Sequence, residues 1–374
     1  MKTLDIASLR LQNQRLIGQV FTKPEEVVRW MGALQAQDFA AAKWAVGIRL
    51  NKSTDWKIEE AFNSGKILRT HVMRPTWHFV HPADIRWLLA LTSPRVHAFN
   101  GHYYRKSGLD KTIFRKSNEI IARALQGGKQ LTRHQLDNVL RANGVPTKNL
   151  GLSYTMMQAE LDGIICSGPR KGKQFTYMLL DERVPKVKII DRDHALSELI
   201  KRYFSSRGPA QIQDFVWWSG LTSIDAKKGI AMNKTHLFRE DYQDKTYWFF
   251  KPAHNNTVRG SIQSELRAAL LPAFDEYFIA YKDRGAILDG EHKKFINAGG
   301  GMLSGVIVIR GKVVGTWKRT FQKNTAHINI RPFFPFDAAQ TRAVNHAAET
   351  YGKFLQLSIV LYSRFHPPQK QLIL

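Results

Sequence analysis

Two amide side chains separated by one alanine stand in "LQAQDFA", residues 34–40. Gln35 and Gln37 cannot titrate and are poor metal ligands, so any chemistry they do is positioning through hydrogen bonds. On the residues alone the favoured reading is that the pair closes a helix and satisfies the backbone groups of the following loop. Asp38, the next residue, reads as the N-cap of a helix starting near Phe39. Basic residues are the second chemical signal. Arg69, His71 and Arg74 in "ILRTHVMRPTWHFVHP" lie near the glutamines in sequence and are expected to hold phosphates. Arg170, Lys171 and Lys173 are expected to tip a second hairpin, and Lys318 and Arg319, with Arg310 and Lys312, a basic face farther on.

Other chemistries find no support. Cys166, the single cysteine, lies in the apolar run "DGIICSG" and reads as a core residue, which leaves no internal disulfide and no Cys-rich zinc or iron–sulfur site. No GxxxxGK[ST] occurs, "GPRKGKQ" has the wrong spacing, and no GxGxxG follows a strand, so no nucleotide cofactor is expected. His78 and His81 in "HFVH" differ by an odd number and would point to opposite faces of a strand, which argues against a shared metal. No GxSxG is present for a Ser-His-Asp arrangement.

Charge names the partner class. The 56 Lys+Arg against 31 Asp+Glu give +25, and every hundred-residue segment shares the excess, down to 10 against 2 in residues 301–374. A basic surface spread over folded segments tracks a polyanion and gains affinity by releasing its counterions. Double-stranded DNA is therefore the expected partner and a membrane is not. No apolar run approaches 18 residues and no signal peptide opens the chain, so a cytoplasmic, nucleoid-associated monomer is expected.

The elements that must position these residues follow one recurring outline: a capped helix, a second helix, then two short strands joined by a polar turn. That is the pattern of a winged helix-turn-helix. In the first copy Thr22 and Glu25 have capping-box spacing, "TKPEEVVRWMGALQAQ" forms a helix that closes on the glutamines, and "ILRTHVMRPTWHFVHP" gives two strands around Arg74-Pro75. In the second, Thr132 and Gln135 cap a helix stopped at Gly144, Ser153 caps the next, and "GPRKGK" is the wing. In the third, Pro209 opens a helix, Gly220 turns the chain, Thr222 and Asp225 cap the next helix, and one of Trp217 and Trp218 is core. After residue 260 a segment "ELRAALLPAFDEYFIAYKDRGAILD" links to a hairpin turning at Gly311, a strand and a helix "DAAQTRAVNHAAETYGKFLQL". The expected fold is α+β, with winged-helix modules over 1–125, 126–190 and 191–260 and a β-rich, barrel-like domain over 261–374.

The stretches "LRLQNQRL", "MGALQAQDFAAAKWAVGIRL", "LRTHVMRPTWHFVHPADIRWLLALTSPR", "FVWWSGL", "LLPAFDEYFIAYKDR" and "VVGTWKR" together resemble the AlkZ-like bacterial DNA glycosylases, in order and over nearly the whole chain. That family is marked by a Gln-apolar-Gln motif at its active site, which Gln35-Ala36-Gln37 matches. The resemblance implies tandem winged helices with a barrel-like domain and a monofunctional, cofactor-free glycosylase acting on alkylated purines, N7-alkylguanine and interstrand crosslinks among them. Gln35 and Gln37 would then hold the attacking water. The competing reading is a non-enzymatic winged-helix DNA-binding regulator, since a fold alone does not give an activity.

Overall fold

A computed structural model describes residues 5–187, 190–250 and 266–364. The fold is mixed α+β. The first run comprises α1 (Ile6–Asn13), α2 (Pro24–Met31), β1 (Leu34–Gln35), α3 (Phe39–Gly47), α4 (Asp55–Asn63), β2 (Leu68–Val72), β3 (Arg74–Val80) and α5 (Pro82–Lys106). Its three strands lie in the order β1-β3-β2, all antiparallel. The second comprises α6 (Lys111–Leu125), β4 (Leu131–Thr132), α7 (Arg133–Ala142), α8 (Gly151–Leu161), β5 (Ile165–Ser167) and β6 (Thr176–Leu179), with the same order β4-β6-β5. After the short α9 (Leu180–Arg183), a third run has α10 (Arg192–Arg207), α11 (Ile212–Ser219), α12 (Ser223–Met232), β7 (Leu237–Tyr242) and β8 (Lys245–Phe250), where Ala210 bridges Trp248 in place of a first strand.

Caps set most helix starts. Thr132 Oγ1 accepts from Gln135 N and Thr222 Oγ1 from Asp225 N, as their spacing predicts. At α2 the box is one residue later: Lys23 N donates to Glu26 Oε2, and Pro24 takes the first helical position. Ser153 is not a cap, because α8 begins at Gly151 and the Ser153 hydroxyl accepts from Arg133. The 25-residue α5 runs on through Pro94, beyond the wing that its sequence pattern suggests.

The C-terminal run contains β9 (Ala268–Leu271), α13 (Glu276–Ile279), α14 (Lys293–Ile296), β10 (Asn297–Gly299), β11 (Met302–Leu303), β12 (Gly305–Ile309), β13 (Lys312–Gln322), β14 (Thr325–Pro332), α15 (Ala338–Leu355) and β15 (Ser358–Ser363). The hairpin at Gly311, the next strand and the long helix are where the sequence places them. The barrel is not. Five strands make an open sheet, β15-β14-β13-β12-β9, with β15 parallel to β14. Both faces are covered without closure, and period-two alternation decides which residue goes where. Ile307 and Ile309 face a core shared with α3, α4 and α15, while Val306 and Val308 face a second core built with α1 and α13. The expected boundary at residue 260 lies outside the described residues.

Candidate active site

Gly32, at φ +71°, ends α2 at Met31 and frees the next residues to enter a strand. Gln35 therefore lies on β1, paired with His78, and not at the close of a helix as the sequence pattern suggests. The one-residue spacing then acquires a physical meaning. Leu34 and Ala36 are fully buried on the core face, so Gln35 and Gln37 project from the other.

Two groups fix Gln35. Its backbone N–H donates to Glu276 Oε1 at 2.9 Å, and its side-chain Oε1 accepts from Arg74 Nη2 at 3.0 Å. The other oxygen of Glu276 accepts from Arg207 Nη2 at 2.7 Å and from Trp218 Nε1 at 2.9 Å. Arg207 also donates to the carbonyls of Met31 and Ala33, on either side of the Gly32 turn. Glu276, Arg207 and Trp218 are buried, so the approach to Gln35 is built on a desolvated, fully engaged ion pair. A parallel clamp holds the neighbouring helix: both oxygens of Asp275 accept from Arg49 at 2.8 Å, and Arg49 also bonds Gln14.

Gln37 is exposed, and among the described residues its Oε1 accepts only a long bond, 3.4 Å, from Trp77 N. Asp38 caps α3 as expected, accepting from Ala41 N. On the Gln35 face of β3, His78 is wholly buried and its Nδ1 lies 2.9 Å from the Thr76 carbonyl. A carbonyl can only accept, so Nδ1 carries the proton and Nε2 keeps a lone pair without a partner among the described residues. Burial, then the charge of Arg74, holds His78 well below the ordinary imidazole value. Burial likewise lowers Arg74, partly offset by Glu276.

The other expected residues divide into two groups. Arg69 and His71 do not face phosphates, because the β2–β3 hairpin is packed against α5 and α8 and every residue of β2 is buried. Arg69 Nε donates to the Ala36 carbonyl at 2.9 Å and its guanidinium stacks on Trp77 and Phe175. Burial pulls it down to about 10. The His71 ring pairs with the buried Glu160 carboxylate. Arg170 bridges back to the first run through Glu59 at 2.9 Å. Lys171, Lys173 and Lys318 are exposed, whereas Arg319 is half-buried over Tyr351. No hydrogen bond or ion pair among the described residues joins these cations to the glutamines. Cys166 is fully buried with its thiol pushed up to about 12, as a core residue should be.

The residues that sequence reasoning missed are Glu276, Asp275, Arg207 and Arg49. Their signal was present in "LLPAFDEYF": two carboxylates inside an apolar run demand buried cations. Which cations answer is set by contacts across 241 residues for Gln35 and Glu276, and spacing does not reach so far.

The profile of the family described as "DNA glycosylase AlkZ-like" matches residues 28–354. The chain belongs to the AlkZ-like DNA glycosylase family. An AlkZ-like relative from Streptomyces sahachiroi, named "Interstrand DNA cross-link repair glycosylase", is 24% identical over 351 residues, covering 91% of this chain and 92% of that protein. The solved structure of the Streptomyces sahachiroi DNA glycosylase AlkZ superposes with a TM-score of 0.81 at 22% identity, over 97% of this chain and 98% of that one. The AlkZ-like chain is accordingly a DNA-repair glycosylase with DNA as its substrate. Among its described residues no helix is long and apolar enough to cross a membrane.

Proposed function

We propose that the enzyme hydrolyses the N-glycosidic bond of alkylated purines of the N7-alkylguanine type, and of the crosslinks that such adducts form, with Gln37 holding the water and Gln35 bracing it. A purine alkylated at N7 is already cationic and leaves as a neutral base without a proton from the enzyme. What the protein must add is a placed water and an environment that tolerates an oxocarbenium-like sugar. The observation that carries this reading is the state of the carboxylates at the motif. Asp38 is committed to its helix cap, and Glu276 to Arg207, Trp218 and the Gln35 backbone. The amides are left as the available polar groups on that strand. Gln35 has its oxygen taken by Arg74, while Gln37 is exposed and loosely held, free to accept a hydrogen bond from water.

In support of a DNA-tracking architecture, the three helix–strand–helix–helix–hairpin runs have the element order of winged helices. On that reading the second module starts at α6, whose Ile121 and Leu125 pack with Leu136 and Met156. Lys171, Lys173 and Lys318 are then phosphate contacts, and the chain works as a monomer. Single-turnover release of 7-methylguanine from duplex DNA tests the chemistry. Gln37→Ala should slow release by about 100- to 1,000-fold and Gln35→Ala by less. Wild-type rates in both variants, at equal stability, would remove the amides from the mechanism.

A further inference from the structure

Far along α5 from the glutamines, past Pro94, the surface carries large rings. Phe99 is 64% exposed and Tyr103 45%, with His102 beside them. Their ring centroids form a row: Phe99 to Tyr103 6.4 Å, and Tyr103 to Tyr154, on the first turns of α8, 6.4 Å with planes only 19° apart. The row is fixed from below. Tyr104 is buried, packs edge-on against Phe114 and Tyr154, and receives a hydrogen bond from Asn100. Solvent-facing rings on so firm a base are a platform rather than a loose end of core.

Charge identifies what would lie on it. Between residues 94 and 116 the chain carries six cations and one carboxylate, Asp110. That carboxylate is already bonded to the backbone of α6, at 2.8 Å from Ile113 N. Arg95, four residues before Phe99, and Lys106, three after Tyr103, are exposed on the same side of α5 as the rings. An apolar protein partner would leave these cations unanswered, whereas a nucleic-acid strand supplies phosphates for the cations and bases for the rings. Paired bases are already stacked on one another and cannot use the rings, so the strand must be unpaired.

We propose that Phe99, Tyr103 and Tyr154, flanked by Arg95 and Lys106, form a second DNA site that stacks the bases of a single strand adjoining the damaged duplex. The proposal rests on the chain acting on DNA but not on the chemistry of the glutamines. It adds a substrate preference: damage beside an opened strand is held better than damage in uninterrupted duplex.

Fluorescence anisotropy with the full-length protein separates the possibilities, using a labelled oligothymidylate of about 20 nucleotides and a duplex of equal length. The double variant Phe99→Ala/Tyr103→Ala should weaken oligothymidylate binding about ten-fold or more. Duplex affinity and 7-methylguanine release should stay within about two-fold of wild type, and Tyr103→Phe, which keeps the ring, should bind as wild type. Undiminished single-strand binding by the double variant overturns the site. So does an equal loss for duplex and single strand, which would mark a general electrostatic surface. Binding to anionic phosphatidylglycerol vesicles that oligothymidylate fails to displace would reassign the patch to a membrane and also overturns it. Wild-type protein that binds the single strand through these rings but releases no base would defeat the glycosylase mechanism and leave this site standing.

Discussion

Glu276 is the residue on which the candidate site turns, because one carboxylate answers Arg207, Trp218 and the Gln35 backbone together. Removing it leaves Arg207, which is fully buried, without a counter-charge. Glu276→Ala should therefore cost about 3–5 kcal/mol in urea unfolding, well beyond the loss of one hydrogen bond. His78 gives a pH signature. Its imidazole is held below 6.5 in the folded state, so the unfolded chain binds a proton that the native one refuses. Stability then rises with pH up to about 6.5 and is lost below it. The urea midpoint should fall between about pH 7 and pH 5, and His78→Gln should flatten that fall. Neither the partners of Glu276 nor the tautomer of His78 can be read from one sequence, because each depends on which groups arrive from elsewhere. The amides themselves were legible, as residue types that exclude acid–base and metal chemistry.

At the scale of elements, the end of α11 and the β2–β3 turn are one joint. Gly220 closes α11 at φ +72°, and a Cβ there would lie 2.4 Å from the Met73 carbonyl, the residue before Arg74. Gly220→Ala is strained in its backbone and pushes on the residue that positions the Gln35 partner. It should lower stability by more than about 1 kcal/mol. Base release should fall as well, because Arg74 shifts; melting and single-turnover kinetics on the same preparation check both. The joint was half visible: the Gly220 turn and the Thr222 cap follow from local residue chemistry, but the packing against Met73 does not. Local signals likewise gave α3, α7, α12 and α15. They failed for β1, whose two residues are too few to show alternation, and for α5, whose helical pattern Pro94 interrupts. They failed also for β15, whose partner β14 lies across a whole helix.

Over the whole molecule the +25 charge acts as a field rather than as separate pairings. Replacing Lys171, Lys173 and Lys318 together by Gln should reduce the slope of log affinity against log salt by about one unit for each phosphate no longer neutralised, with little dependence on DNA sequence. An unchanged slope would place the DNA on another face. The sequence revealed this global charge fully and the mixed fold class correctly, yet suggested a barrel. Strand patterns show that a sheet has two apolar faces but not whether helices or the sheet itself will cover them. Here α15 and the first run do so. The clamps on Arg49 and Gln35 carry a further consequence, for the order of events during synthesis. Asp275 and Glu276 leave the ribosome 226 and 241 residues after the groups they hold. At about 5–20 residues per second that is a delay on the order of tens of seconds. Throughout it the nascent glutamine strand lacks its anchor, so a chain interrupted before residue 275 has all of the motif and none of the clamp that orients it.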